Sequence, residues 1–162
     1  SSRAEASNFG STRFDARTIA GVDSITRMGA EALWIGGPWS VQGEYLRSNL
    51  SRNAATDLSF DGWYLQASWF ANGDHRGYKD GALDAPNLGE DGRALELALR
   101  VSTLDLNDEN VLGGDTTNMS LGANWYINSH VRLMFDYVHV DGKRGALSVD
   151  PNILQGRLQL AF

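Results

Sequence analysis

Asn118–Val140, NMSLGANWYINSHVRLMFDYVHV, is the stretch whose reading decides the fold. Taken two residues at a time, Met119, Leu121, Ala123, Trp125 and Ile127 fall on one side, and Ser120, Gly122, Asn124 and Tyr126 on the other. After the turn-forming pair Asn128-Ser129, Val131, Leu133, Phe135 and Tyr137 oppose Arg132, Met134 and Asp136. Successive side chains of a β-strand point to opposite faces, so the pattern is two amphipathic strands joined by a short turn.

The same period runs outward in both directions. Downstream, Pro151–Phe162 alternates Leu154, Leu158, Leu160 and Phe162 with Gln155, Arg157 and Gln159. Upstream, Ala94–Asp105 sets Leu95, Leu97, Leu99 and Val101 against Glu96, Ala98, Arg100 and Ser102. Phe60–Phe70, Trp39–Ser48, Ile25–Ile35 and Thr12–Ala20 read likewise, with Gly36-Gly37-Pro38 as a tight turn. This makes eight antiparallel strands. The Gly/Asp/Asn-rich stretches Ser48–Asp57, Asn72–Arg93, Asn107–Thr117 and Asp141–Asp150 are expected to be exposed loops. No linker or low-complexity tract divides residues 1–162, which read as a single domain.

Composition fits a sheet-rich chain with many turns: 18 Gly against 3 Pro, and 5 Trp, 6 Phe and 5 Tyr in 162 residues. Cysteine is absent, which removes disulfides, thiolate metal sites and cysteine nucleophiles. A formal charge of −6 argues against nucleic acid as a partner, since phosphate binding needs clustered Lys and Arg. Ser1–Gly10 is polar and lacks an apolar signal-type core, so an exported chain is expected to be in mature or trimmed form. No run reaches the roughly 20 apolar residues of a transmembrane helix. A membrane crossing must therefore be made by strands.

Alternation alone also fits a soluble sandwich. Three features favour a bilayer-spanning sheet. Several strands have about the 9–11 residues that a tilted crossing needs. Trp34, Trp39, Trp125 and Phe162 stand on the apolar face at strand ends, where an interfacial aromatic girdle belongs. Short turns are mixed with long polar segments, as in barrels with short periplasmic turns and longer extracellular loops. The fold class is an all-β transmembrane antiparallel barrel of outer-membrane type. Asn72–Arg93 disturbs this picture: counted back from a periplasmic C-terminus it lies on the periplasmic side, where so long a loop is unusual. A further strand pair near Tyr78–Leu88 would account for it.

Several blocks sharpen the assignment. They are Glu31–Tyr45 (EALWIGGPWSVQGEY), Phe60–Phe70 (FDGWYLQASWF), Ala94–Asp108 (ALELALRVSTLDLND), Ser120–Asp141 (SLGANWYINSHVRLMFDYVHVD) and Asp150–Phe162 (DPNILQGRLQLAF). In this order they resemble the phosphate-selective porin O and P family, and the terminal LQLAF is similar to the outer-membrane insertion signal. The resemblance implies a trimeric porin of roughly 16 strands in the bacterial outer membrane, with an arginine-rich constriction for anions. This chain resembles its C-terminal half. Two geometries follow: half of the wall of such a porin, or a small closed barrel of about eight strands whose interior is filled by side chains.

The face expected to line a channel carries Arg13, Arg17, Arg27, Arg100, Arg132 and Arg157, interleaved with Asp15, Glu31, Glu44, Glu96 and Asp136. Arginine presents a planar donor fork suited to phosphate. The plainer alternative is a solvated, salt-bridged interior that conducts nothing. Acidic groups at Glu90-Asp91 and Asp105–Glu109 lack the spacing of a calcium loop. His75, His130 and His139 lack metal spacing, and His139 near Asp136 and Asp141 has no activated serine in a signature context to serve. No cofactor and no enzymatic activity are expected. The expected partners are outer-membrane lipid and small inorganic anions such as phosphate, with a homotrimer implied by the resemblance.

Overall fold

The computed structural model describes residues 19–53, 55–79, 82–89, 92–128 and 130–160. Its strands are β1 (Val22–Gly36), β2 (Trp39–Arg52), β3 (Leu58–Phe70), β4 (His75–Lys79), β5 (Ala82–Asn87), β6 (Ala94–Asp108), β7 (Val111–Tyr126), β8 (Val131–Arg144), β9 (Leu147–Val149) and β10 (Asn152–Leu160). No helix occurs among the described residues.

One antiparallel sheet runs β1-β2-β3-β6-β7-β8-β10, and β9 also pairs with β8. β9 and β10 are one strand interrupted at Asp150-Pro151; the donor that proline lacks is not missed, because its carbonyl still accepts from Val140 N at 3.0 Å. Strand neighbours in sequence are neighbours in space, except where the separate β4–β5 hairpin is inserted between β3 and β6. Each of the seven predicted strands from Ile25 onward is present. The eighth, Thr12–Ala20, lies outside the described residues but for Ile19 and Ala20, which are not in a strand.

The sheet is open. Among the described residues β1 and β10 each have a neighbour on one side only, so the small closed barrel expected as one geometry is not formed by them.

The structure also corrects the long polar loops. β1, β2, β3, β6, β7 and β8 are 13 to 16 residues long and carry the ladder into segments that read as loop. Asn107–Thr117 is mostly strand, turning at Glu109-Asn110 with Glu109 at φ 47. Asn107 stabilises the bulge there: its Oδ1 accepts from Gly114 N at 2.9 Å and its Nδ2 donates to Asp115 Oδ1 at 3.2 Å. Asp141–Asp150 likewise continues β8 and turns at Gly145, φ 60, into β9. At the other end of the sheet Gly37, φ 55, makes the β1–β2 turn, where a left-handed residue is needed at the first corner. Asn128 Oδ1 accepts from His130 N and Val131 N, both at 2.8 Å, and closes the β7–β8 turn as the Asx geometry predicts.

Candidate functional site

The registers place every second residue of the sheet on a common face. On one face stand Trp34, Trp39, Val41, Tyr45, Trp63, Leu65, Trp69, Leu95, Leu97, Leu99, Met119, Leu121, Trp125, Phe135, Tyr137, Leu154, Leu158 and Leu160. Most of these are exposed: Trp34 at 58%, Leu97 at 43%, Phe135 at 54% and Leu154 at 81%. All five tryptophans of the chain lie here. Trp39 and Trp69 stack with centroids 5.8 Å apart. Beyond this band, toward the long hairpins, the same face becomes charged at Arg47, Asp61, Asp105, Asp115 and Lys143.

The opposite face is polar and better covered. Glu96, Ser102, Thr116 and Asn118 are buried on it, as are Ser40 and Ser68, whose hydroxyls bond at 2.8 Å. A soluble sheet buries its apolar face and wets its polar one. Here the burial is reversed.

All the described channel-lining candidates share the polar face: Arg27, Glu31, Glu44, Glu96, Arg100, Arg132, Asp136 and Arg157. Arg13, Arg17 and Phe162 lie outside the described residues. The structure divides the face into two clusters. In the first, Glu31 and Glu44 are directly opposite each other across β1 and β2, and Gln42 Nε2 donates to Glu31 Oε1 at 2.6 Å. Tyr64 pairs with Glu44 in register, the Arg100 guanidinium lies 4.0 Å from the Tyr64 ring centroid, and its Nη1 donates to Gln66 Oε1 at 3.3 Å.

Sequence reasoning missed the second cluster. Glu96 is 1% exposed and is met by Arg76 of β4 through a two-pronged ion pair, Nε to Oε1 at 2.8 Å and Nη2 to Oε2 at 2.7 Å. Asn124 Nδ2 and the Tyr126 hydroxyl donate to the same Oε2 at 3.0 and 3.3 Å. Arg132 Nη1 donates to Tyr126 Oη at 2.9 Å and its Nη2 to Gln159 Oε1 at 2.6 Å. Burial of Arg76 by itself opposes its charge, but its hydrogen bonds to Glu96 and the carboxylate charge prevail and raise its pKa. No local signal in the sequence marks Arg76, which sits 20 residues from its partner in a segment without alternation.

The strand pair expected near Tyr78–Leu88 is the β4–β5 hairpin. It is tied at its base by Asn72 Nδ2, which donates to Asp74 Oδ2 and Arg93 O at 2.8 and 2.7 Å, and by Gly89 N donating to Asp74 Oδ1 at 3.1 Å.

The histidines do not converge. His139 belongs to the apolar face, where Nδ1 is 2.9 Å from Asn152 Oδ1, and Asp136 is on the other face. The acidic hairpin residues serve the backbone: Asp105 Oδ1 accepts from Asn107 N at 2.9 Å, and Asp108 Oδ2 from Ser59 N at 2.6 Å.

Comparison with known proteins follows the same direction. The family model "Phosphate-selective porin O and P" matches residues 1–162. Porin O of Pseudomonas aeruginosa is 36% identical over 125 residues, which is 68% of this chain and 28% of that protein. An uncharacterized protein of Caulobacter vibrioides is 27% identical over 162 residues, 93% of this chain and 33% of its own length. The chain thus spans about a third of the length of the curated relatives it matches. The reversed burial of the sheet and the match along the whole chain agree: this chain belongs to the phosphate-selective porin O and P family, whose proteins are outer-membrane channels and not enzymes.

Proposed function

We propose that this chain forms part of the wall of an outer-membrane porin through which small anions such as phosphate diffuse. Its apolar face lies against lipid and its polar face lines a water-filled lumen. The observation that carries the reading is the reversed burial, with all five tryptophans on the bare apolar face and the charged residues on the covered one. The open edges at β1 and β10 fit a barrel wall completed by further strands, because an unpaired edge left in the bilayer would strand its backbone groups. Residues 1–162 are then one β-domain or the C-terminal portion of a larger barrel, assembled as the homotrimer that the resemblance implies.

In this reading Arg27, Arg100, Arg132 and Arg157 bias permeation toward anions, with Glu31, Glu44, Glu96 and Asp136 as countercharges. Arg132 is the best placed of them, because the side chains that orient its guanidinium, Tyr126 and Gln159, are neutral and leave its charge available. Single-channel conductance of the intact porin across a salt gradient tests this. Discrete anion-preferring steps are expected, and replacing the four arginines with glutamine should lower that preference. Unchanged reversal potentials would remove the role.

A second reading, a non-conducting structural barrel with a filled interior, is favoured by one feature. Leu50, Leu58, Phe60 and Leu106 form a buried cluster on the polar face, joined by Val22, Leu104, Val111 and Val149. That cluster sits at the long-hairpin end, beyond the apolar band of the other face. It therefore fits a folded mouth above the membrane better than a plug within it.

A further inference from the structure

The β4–β5 hairpin has its own two-stranded sheet and shares no ladder with the wall. It emerges between β3 and β6 at the short-turn end. It folds onto the polar face, because its Arg76 reaches Glu96, and Glu96 stands on that face between Phe70 and Asn124. Beyond the ties at its base, the side-chain contacts that hold it are few: the Arg76–Glu96 pair, the Arg76 guanidinium 5.9 Å from the Phe70 ring centroid, and Leu88 against Phe70, Ala94 and Tyr126. A two-stranded hairpin is marginal by itself and depends on such docking.

Resting on the channel reading above, we propose that this hairpin is an in-folded constriction latched to the wall by Arg76 on Glu96, and that the latch sets both the width and the charge of the channel at its short-turn end. Docked, the hairpin occupies lumen and its guanidinium cancels the Glu96 carboxylate. Undocked, it leaves a wider passage and an uncompensated carboxylate two hydrogen bonds from Arg132, through Tyr126. Anions then meet a negative charge beside the arginine that should attract them. The two partners of the latch consequently have separable effects. Loss of Arg76 opens the passage and exposes the acid. Loss of the Glu96 charge opens it without exposing one.

Arg76→Ala and Glu96→Gln are compared with the unaltered intact porin in planar bilayers, each first shown to fold by heat-modifiable migration. Both variants should raise single-channel conductance and make the open level flicker. R76A should shift the reversal potential away from anion preference, whereas E96Q should keep or increase that preference. The chain has no native cysteine. In an Arg76→Cys/Glu96→Cys double variant, a short reducible thiol crosslinker should therefore restore the quiet, low-conductance level, and a reductant should abolish it. If the unaltered porin conducts and both variants and the crosslinked form match it in conductance, noise and reversal potential, the latch is overturned and the channel reading stands. If the unaltered porin inserts and does not conduct, both are overturned together.

Discussion

Trp39 stacks on Trp69 across the β2–β3 ladder, 5.8 Å between ring centroids, on the exposed apolar face beside the Gly37-Pro38 turn. Two half-exposed aromatic rings side by side have little reason to face water. They have good reason to face the headgroup level of a bilayer, where an amphipathic ring is wet at one edge and dry at the other. A double-mutant cycle of Trp39→Ala and Trp69→Ala should give a coupling of about 0.5–1.5 kcal/mol in the folded, membrane-inserted protein. Urea unfolding from vesicles measures it.

Leu99 and Ala98 are consecutive residues of β6 with opposite surroundings. Arginine at Leu99 would put a charge into the middle of the apolar band and cost about 2–4 kcal/mol. Arginine at Ala98 would join a polar face that already holds Arg100 and should cost far less. Folding yields and unfolding midpoints of L99R and A98R, compared in the same lipid, check the sign and size of the difference.

Gly62 answers to a close backbone approach. A Cβ there would meet the carbonyl oxygen of Thr103 at 2.9 Å, and a ladder carbonyl cannot move aside as a side chain would. Gly62→Ala should therefore destabilise the sheet by about 1–3 kcal/mol. At Gly122 the closest atom is Asp136 Oδ1, the end of a side chain, also at 2.9 Å. Gly122→Ala should be milder, and a comparison of the two melting temperatures distinguishes backbone crowding from side-chain crowding.

The β7–β8 turn depends on one oxygen. Asn128 Oδ1 accepts from two backbone amides, and Asn128→Ala would leave both without that partner. A loss of about 1–2 kcal/mol is expected, with Asn128→Asp retaining most of the stability because its carboxylate can accept the same bonds. Denaturant titration of the two variants resolves this.

The seven strands from Ile25 onward were legible in the sequence because each carries a period-2 pattern strong enough to specify its register: Leu95-Glu96-Leu97 admits one facing. The hairpin tips were not. Asn107, Asp105 and Gly114 are turn formers by local preference, yet their side chains and backbones satisfy one another across a bulge and prolong the strands. Local propensity yielded there to contacts between strands. The charged face was legible as a face, since parity alone places Arg27, Glu31, Glu44, Glu96, Arg100, Arg132, Asp136 and Arg157 together. Its pairing was not. Glu96 reads as a free countercharge until Arg76 arrives from a hairpin without alternation, and nothing near either residue announces the other.

The central claim is that neighbouring residues of one strand face lipid and lumen by turns. With no cysteine in the chain, single cysteines placed at each position from Leu95 to Ser102 in the membrane-inserted porin can be exposed to a charged, water-soluble thiol reagent. The account predicts a period of two: labelling at Ala98, Arg100 and Ser102 with a drop in channel current, and protection at Leu95, Leu97, Leu99 and Val101. Glu96, buried under the hairpin, should label slowly. Labelling of the leucine positions with protection of their neighbours would mean the apolar face is the wet one, and would contradict the account.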